Sequence, residues 1–308
     1  MLQPDDSNFT RYLSSKKSVD DRALNHRVWQ TLAGQVSPAS AAKPLRILEI
    51  GAGIGTMLER MLEWELLTCA DYTGIDAQAE NIGHANRRLP GWAAQHGFQL
   101  ESSPAGEWRL ARQDRQVSVR FASRDLFDFA GQEQHRCRWD LLVAHAFLDL
   151  MDIPATLPVL FNLLREDGLY YFSLNFDGLT LLEPAIDPLL DELIQSLYHQ
   201  TMDARLTDGR PSGDSRSGRH LFTYLRQAGA RILDAGASDW VVFPIQGSYP
   251  QDETYFLHFI VHTIHRALAG HPQLDPVQFV NWVKTRHAQI ERRELVFIAH
   301  QLDFVGRI

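Results

Sequence analysis

The chain has 308 residues, of which 44% are hydrophobic, and a formal net charge of −8. This length and composition suffice to bury one large core and exclude a disordered or fibrous protein. The basic pairs Lys16-Lys17 and Arg292-Arg293 are isolated. The sequence therefore lacks the electrostatic footprint of a nucleic-acid-binding protein, and we expect no nucleic-acid partner.

The cysteine content and the amino-terminal residues favour a cytoplasmic location. Only Cys69 and Cys137 occur, which is too few for a disulfide framework. The first six residues are polar and acidic rather than signal-like. No apolar run approaches the roughly 20 residues that are needed to cross a bilayer. We expect a soluble protein that does not bind membranes, and the oligomeric state stays open.

The segment from Phe9 to Asn25 predicts two short helices ahead of the first strand. Ser18 stands between them as the expected N-cap of the second helix.

The segment Leu45–Asp76 predicts a buried strand, a glycine-rich turn, a helix over Thr56–Leu67 and a second strand that ends in an acid. Three glycines occupy every second position of the turn: Gly51, Gly53 and Gly55. They let the backbone approach a ligand closely where the strand turns into the helix. A carboxylate at the end of the second strand, as at Asp76, can accept hydrogen bonds from both hydroxyls of a ribose.

The glycine pattern narrows the choice of nucleotide. A dinucleotide-binding motif has a further glycine where this chain has Thr56, so a nicotinamide cofactor is the weaker interpretation. Glu49 is an acid at the end of a buried strand, which is unfavourable unless the side chain faces a polar or cationic ligand. A positively charged cofactor would account for it.

At these residues the sequence resembles the class I S-adenosylmethionine-dependent methyltransferases. Their first motif has the same Glu-x-Gly-x-Gly-x-Gly form, and their second strand ends in an acid like Asp76. The resemblance extends over most of the chain. It implies S-adenosyl-L-methionine as the cofactor and an α/β fold with a doubly wound, mostly parallel seven-stranded sheet and a helical cap.

The resemblance also implies which residues bind the cofactor. In the first half of the chain these are Glu49, Gly51, Ala52, Gly53, Gly55, Asp76 and Ala77. In related enzymes the amino-terminal segment, here residues 1–43, covers the cofactor as a helical lid. Tyr12 would then contact the cofactor, an expectation that depends on fold-level analogy.

After Asp76 the pattern predicts a helix over Ala79–Arg88 that ends before Pro90-Gly91. A hairpin around residues 102–106 and a third sheet strand at Val117–Phe121 follow.

Asp125 comes shortly after the third strand. The resemblance implies that its carboxylate binds the adenine amino group and that the backbone N–H of Leu126 meets the ring. A helix or turn cap at Asp125 is the structural alternative.

The segment Trp139–His145 is a short, almost continuously apolar strand, as expected in a parallel sheet covered on both faces. His145 lies at its carboxyl end, where ligands of doubly wound sheets bind. It could therefore contact the cofactor or the substrate, and if it reaches the substrate, a pKa near neutrality would let it act as the catalytic base. A purely structural histidine is the equal alternative. The Pro-Pro motif of enzymes that methylate nucleobase amino groups is missing from Ala144–Phe147, which argues against that activity.

A helix over Leu157–Leu164 and a fifth strand over Leu169–Asn175 continue the family's order of elements. Asn175 could orient a substrate at the end of this strand, although turn formation at Asp177-Gly178 also explains the pattern.

The residues 179–218 form a long insertion with a predicted helix over Ile186–Gln200 and a polar loop. Insertions of this length are often functional. Arg219 and nearby arginines could bind an acidic group of the substrate, and a solvated surface of alternating charges is the equal alternative.

The carboxyl-terminal part predicts a bulged sixth strand within residues 230–243 and a last strand over Glu294–Phe304. A second cap insertion, residues 250–292, separates them with helices over Glu253–Ala269 and Pro276–Arg292. Tyr249 could belong to a substrate pocket, with core packing as the alternative.

Three histidines lie along one flank of the first late helix: His258, His262 and His265. Their spacing is superficially that of metal ligands, but no Glu follows His258 as a zincin motif requires, so we expect no metal.

Together these patterns predict a single methyltransferase domain over residues 1–308. The expected reaction is methyl transfer from S-adenosylmethionine to a small-molecule acceptor by in-line displacement, with the protein holding the reactants on axis and excluding water. The alternatives are a protein or RNA methyltransferase, an aminopropyltransferase, and a cofactor-binding protein without catalysis that acts as a sensor or partner subunit. Oxygen, nitrogen, carbon and sulfur acceptors are all compatible with the sequence.

Overall fold

The computed structural model describes residues 9–37, 39–103, 106–207 and 209–308. The strands are β1 (Leu45–Ile50), β2 (Cys69–Asp76), β3 (Gln99–Ser102), β4 (Trp108–Arg112), β5 (Arg115–Ser123), β6 (Trp139–His145), β7 (Leu164–Glu183), β8 (Leu206–Thr207), β9 (Arg210–Pro211), β10 (Arg231–Ala237), β11 (Trp240–Val242) and β12 (Val296–Arg307). The α-helices are α1 (Phe9–Ser15), α2 (Lys17–Ala23), α3 (His26–Gln35), α4 (Thr56–Glu63), α5 (Ala79–Gln95), α6 (Leu126–Ala130), α7 (Ile153–Phe161), α8 (Pro188–Asp203), α9 (Ser217–Gln227), α10 (Glu253–Leu268) and α11 (Pro276–Glu291).

A ten-stranded sheet runs through the described residues in the order β10-β12-β7-β6-β1-β2-β5-β4-β3, with β11 paired to β12. The seven strands from β5 to β10 in this order are parallel apart from β12, which runs antiparallel to both of its neighbours. This confirms the predicted doubly wound, mostly parallel fold. The sheet exceeds seven strands because the hairpin β3–β4 extends its edge beyond β5 and because β11 adds a short pairing to β12.

Both faces of the sheet are covered, which explains why the central strands are almost continuously apolar. Alternate residues of β1 show this arrangement, since Ile47 packs among the residues of α3, α4 and α5, whereas Leu48 packs with α6, α7 and α9. A third apolar cluster joins the far ends of β7 and β12 to α8, α10 and α11, which we call the cap helices. The carboxyl ends of β1, β2, β5 and β6 are thereby left to form a site at one edge.

Two of the local expectations were wrong. Helix α5 does not end before Pro90 but continues to Gln95. Packing outweighs the hydrogen bond that proline removes, because Trp92 is buried, stacks on Phe98 and donates a hydrogen bond to Glu63. Ser18 is not an N-cap, since it lies inside α2 and its hydroxyl donates to Glu253 at 2.6 Å.

Other elements are present with different bounds. The predicted hairpin is confirmed as β3–β4, although residues 104 and 105 lie outside the described ranges. The expected single bulged strand near residues 230–243 is two strands, β10 and β11, each paired with β12. Strand β7 continues to Glu183, inside the predicted insertion 179–218. The helix expected over Leu157–Leu164 begins earlier, at Ile153, because the side chain of Asp152 caps it.

Within the described ranges, no helix combines the length and the apolar character that crossing a membrane requires.

The cap helices are joined by a buried ion pair. Arg286 of α11 has no exposed surface and donates to Asp191 of α8 at 2.5 Å. Its guanidinium also donates to the carbonyl of Pro184 and the side chain of Gln289. The same carboxylate accepts a hydrogen bond from the indole of Trp282.

We expect Arg286→Met to lower the free energy of unfolding by about 3–5 kcal/mol, because it leaves the carboxylate of Asp191 buried without its cation. Urea unfolding followed by circular dichroism measures the change. Adding Asp191→Asn should restore part of the loss, because it removes the uncompensated charge. A double variant no more stable than Arg286→Met would contradict this explanation.

Candidate active site

The turn between β1 and α4 needs its glycines for two reasons. Gly51, Gly53 and Gly55 have φ angles of 68°, 53° and 83°, which side chains rarely adopt. A Cβ on Gly51 would lie 2.7 Å from the ring of Phe147, and one on Gly55 would lie 2.9 Å from the ring of Phe121. The turn therefore presents bare backbone at the edge of the sheet where ligands of doubly wound folds bind.

Asp76 connects this turn to the loop after β2. Its Oδ2 accepts a hydrogen bond from the backbone N–H of Gly53 at 2.9 Å. Its Oδ1 accepts from the backbone N–H of Gln78 and from the side-chain amide of Asn81. Ala77 lies between these positions. These bonds hold the carboxylate in one orientation, and the predicted contact with a ribose stays a prediction.

Glu49 has a carboxyl oxygen that the protein leaves unsatisfied. The side chain is 1% exposed, and among the described residues Oε2 has no hydrogen-bond partner. Burial raises the pKa of Glu49 well above its ordinary value, although the positive charge of Arg60 opposes this rise. A buried acceptor without a donor is rare in folded proteins and is explained where a ligand supplies the donor.

Asp125 is the N-cap of α6. Its Oδ1 accepts hydrogen bonds from the backbone N–H groups of Phe127 and Asp128, at 2.7 and 3.2 Å. The observed contacts of Asp125 are therefore those of a helix cap, which was the structural alternative to a cofactor contact. The adenine contacts of Asp125 and of the N–H of Leu126 stay predictions.

His145 lies at the end of β6 in a different environment from the one we expected. Its Nε2 is 3.1 Å from Oδ2 of Asp20, and its Nδ1 is 2.9 Å from the hydroxyl of Ser173. Burial lowers its pKa to about 4, despite the opposing effect of Asp20. Base catalysis near neutral pH would require a higher pKa than this one, and the role of His145 as a catalytic base stays a prediction.

The partner of His145 is the centre of a buried charge network. Asp20 is 1% exposed and also accepts from Nε1 of Trp240 at 2.9 Å, Nη2 of Arg60 at 3.3 Å and Nζ of Lys16 at 3.2 Å. Burial opposes ionisation of this carboxyl, but Lys16, His145 and Arg60 hold its pKa well below the ordinary value. Since Asp20 is charged, Nε2 of His145 carries the hydrogen and Nδ1 accepts from Ser173.

Arg60 places a cation of this network on α4, the helix that follows the glycine turn. It is completely buried and donates a second hydrogen bond to Asp21 at 2.5 Å. Neither Asp20 nor Arg60 was predicted from the sequence. The only available signal was the i,i+4 spacing of Lys16 and Asp20, and this spacing occurs equally on solvated helix surfaces.

Helix α1 lies over the same edge of the sheet. The methyl carbon Cδ1 of Leu13 is 3.4 Å from where a Cβ on Gly53 would stand. The ring of Tyr12 stacks on Phe259 with centroids 4.1 Å apart and on Phe256 at 5.9 Å. Helix α1 thus bridges the glycine turn and the cap helix α10, while the cofactor contact of Tyr12 stays a prediction.

The three predicted substrate-binding residues each form hydrogen bonds within the protein, although among the described residues Oδ1 of Asn175 is buried without a partner. Asn175 is buried and donates to the carbonyl of Leu302, and Arg219 binds Asp177 through a backbone and a side-chain bond to the same oxygen. Tyr249 belongs to the core of the cap and donates to the carbonyl of Leu295. Substrate contact by these three residues stays a prediction.

One of the three histidines of α10, His258, pairs across to α11. His258 is 2.7 Å from His287 through their Nδ1 atoms and 3.0 Å from Glu291 through Nε2. In the described part of the chain, no three side chains of metal-binding type have the geometry of a metal site.

A cavity of about 370 Å³ lies away from this site. Its wall includes the first residues of β2, Cys69 and Ala70, together with Gln116 of β5. These residues are at the amino ends of their strands, opposite the edge where the glycine turn lies.

One family model matches more than half of the chain. Residues 23–234 match the model of a family described as a methyltransferase domain. No curated protein matches the sequence.

Several solved structures resemble the fold. A candidate methyltransferase of Bacillus halodurans has 8% identity and a TM-score of 0.49, covering 90% of this chain and 97% of that one. A candidate type II methyltransferase of Anaeromyxobacter dehalogenans has 13% identity and a TM-score of 0.48, with coverages of 93% and 97%. Geranyl diphosphate C-methyltransferase of Streptomyces coelicolor has 10% identity and a TM-score of 0.42, with coverages of 92% and 81%.

The lowered pKa of His145 predicts a pH dependence of stability. The unfolded chain takes up this proton near pH 6.5, whereas the folded chain takes it up only near pH 4. Stability should therefore fall as the pH drops from 6.5 to 4, and His145 should contribute on the order of 3 kcal/mol to that fall.

The measurement is urea unfolding at several pH values, for the native chain and for His145→Gln, which keeps a donor toward Asp20. The difference between the two isolates this residue from other histidines whose pKa is lowered, such as His287. We expect the variant to lose less stability over this range. Equal losses would show that His145 does not titrate as inferred.

Proposed function

The chain belongs to the methyltransferase-domain family that its residues 23–234 match, and from this premise we propose that it methylates a small-molecule acceptor. Its cofactor is S-adenosylmethionine and it is a methyltransferase. One observation favours a small acceptor: α1 covers the glycine turn, so a large substrate could not reach it easily. Leu13 of this helix contacts Gly53, and Tyr12 packs on the cap.

The residues at the glycine turn fit this cofactor. The buried acceptor Oε2 of Glu49 lacks a donor among the described residues, and the amino group of a cationic cofactor is a suitable one. The backbone at Gly51, Gly53 and Gly55 is free of side chains, so a ligand can approach it closely. Asp76 is held at the end of β2, where a carboxylate can bind a ribose.

When bound, S-adenosylmethionine supplies an electrophilic methyl group on a sulfonium sulfur. The protein then needs few chemically active side chains, because alignment and exclusion of water account for much of the acceleration in such displacements. Helices α1 and α2 would exclude water as a lid. The buried ion pair between Asp20 of α2 and Arg60 of α4 would hold that lid against the rest of the protein.

A small acceptor also agrees with the charge of the protein. The net charge is −8, and an RNA substrate would be expected to meet a basic surface. A peptide substrate would need an open groove at the edge that α1 covers. Both considerations favour a ligand that the lid can enclose.

The cofactor assignment is tested by calorimetry with S-adenosylmethionine. We expect Asp76→Asn to weaken binding by about tenfold or more, since a charged acceptor of the ribose hydroxyls is lost. Asp71→Asn is the matched control, because Asp71 is an exposed acid at the other end of the same strand. NADH should not displace the ligand. Unchanged affinity in Asp76→Asn would contradict the assigned role.

The acceptor class is tested with S-adenosylmethionine labelled in its methyl group. A cell extract is separated by dialysis into small molecules and macromolecules, and each fraction is incubated with the protein. We expect label to enter the small-molecule fraction, with Asp76→Asn as the negative control. Transfer mainly to protein or RNA would overturn the proposed acceptor class.

A further inference from the structure

A second, smaller cavity of about 180 Å³ lies between the sheet and the loop that joins α6 to β6. Its floor includes Thr73 and Arg120, which are paired residues of β2 and β5. Arg124, which follows β5, and Arg138, which precedes β6, also line it. None of the residues that we assigned to the cofactor belongs to its wall.

The wall of this cavity concentrates positive charge. Among the described residues it contains three guanidinium groups and no carboxylate. Arg124 and Arg138 form no ion pair within the described ranges. Nη1 of Arg120 is 3.9 Å from Oε1 of Glu107, and since both side chains are largely exposed, this pair contributes little. A protein of net charge −8 thus keeps three arginines together without matching acids, an arrangement that attracts an anion.

Two N–H groups of the same wall lack acceptors. Nε1 of Trp139 and Nδ1 of His135 are buried, and neither has a hydrogen-bond partner among the described residues. The side-chain amide of Gln134 donates to Nε2 of His135 at 3.4 Å, so the neutral ring carries its hydrogen on Nδ1. Burial lowers the pKa of His135, and the nearby charges of Arg138 and Arg120 lower it further, which keeps the ring neutral at about pH 7. Buried donors without acceptors are rare and are explained where a ligand supplies the acceptor.

Direct contacts join these groups to one another. The ring of His135 stacks on Phe129 with centroids 3.9 Å apart and faces the ring of Trp139 at 6.5 Å. The guanidinium of Arg138 lies over the ring of Trp139, 5.4 Å from its centroid. Trp139 itself is only 3% exposed, because it begins β6 and packs in the core. The two free N–H groups and one of the three cations are therefore held together by the packing of the loop.

The groups of the wall restrict the ligand chemistry. A cation would be repelled, and an apolar ligand would leave the N–H groups unpaired. A carboxylate has two oxygens and matches one guanidinium fork, whereas a phosphate has at least three acceptor oxygens and up to two charges for several donors. The cavity is smaller than the roughly 300 Å³ of a site for a drug-sized ligand, so it suits a phosphate group alone.

We propose that this cavity binds a phosphate group through Arg120, Arg124 and Arg138, with the N–H groups of Trp139 and His135 as further donors. Inorganic phosphate and the phosphate of a small metabolite share this chemistry, and the experiment distinguishes the two sources. The site goes beyond the proposed methyl transfer, since its wall and the cofactor-binding residues are different sets.

The test follows the indole N–H signal of Trp139 by NMR, assigned with Trp139→Phe, while sodium phosphate is added at about pH 8, where phosphate is a dianion. We expect a saturable change in this signal. Arg124→Gln and Arg138→Gln should each weaken binding by about tenfold, because each removes a charged donor. Arg136→Gln is the matched control, since Arg136 is an exposed arginine of the same loop outside the wall, and it should keep the native affinity within about twofold.

Phenyl phosphate and benzoate complete the set of probes. Phenyl phosphate that binds about tenfold more tightly than inorganic phosphate would support a metabolite as the source, and equal affinities would support inorganic phosphate. Benzoate should bind at least about tenfold more weakly than phenyl phosphate. Circular dichroism establishes that each variant is folded.

Three results would overturn the inference. The first is the absence of a saturable change with both phosphates, and the second is an equal response to sodium chloride at the same ionic strength. The third is a loss of affinity in Arg136→Gln as large as that in Arg138→Gln, which would show a general effect of surface charge.

Discussion

The buried guanidinium of Arg60 is the constraint on which the arrangement of the site depends. A charge without exposed surface is tolerated only where counter-charges and hydrogen-bond acceptors surround it, and here these are Asp20 and Asp21. Both acids come from α2. The helix that covers the site therefore also neutralises the positive charge of Arg60 on α4, the helix beneath it. Asp20 in turn fixes the ring of His145 and the indole of Trp240. Helix α2, which covers the site, is therefore held to α4 and β6 beneath it by a single network of buried charges.

A second set of contacts also fixes the amino-terminal helices, by joining them to α10. Glu253 at the start of α10 is completely buried and accepts hydrogen bonds from Ser18 and from both terminal nitrogens of Arg22. The rings of Tyr12, Phe256 and Phe259 add aromatic packing between α1 and α10. The amino-terminal helices are thus attached to the sheet through Arg60 and to the cap through Glu253. Each attachment contains one buried acid, Asp20 or Glu253. Because a buried carboxylate needs its partners in place, these acids make the position of the helices specific.

The parts of the structure that the sequence predicted are those governed by local chemistry. The glycines at positions 51, 53 and 55 were predictable because their conformations exclude side chains, and the parallel sheet followed from apolar strands that alternate with helices. Pro90 and Ser18 were misjudged because distant partners, the packing around Trp92 and the carboxylate of Glu253, outweigh local preference. The pKa of His145 was unpredictable for the same reason, since burial is a property of the assembled fold.

The bond between Asp20 and Trp240 joins residues that are 220 positions apart, and that between Ser18 and Glu253 spans 235. Contacts of such separation close a very long loop, and the entropic cost of that closure is smaller when the intervening chain is already ordered. During synthesis the amino-terminal helices leave the ribosome first, yet their partners are made only after more than two thirds of the chain. The attachment of the cover to the cap therefore depends on the last segments of the chain, whereas its bonds to Arg60 join residues only 39 and 40 positions apart.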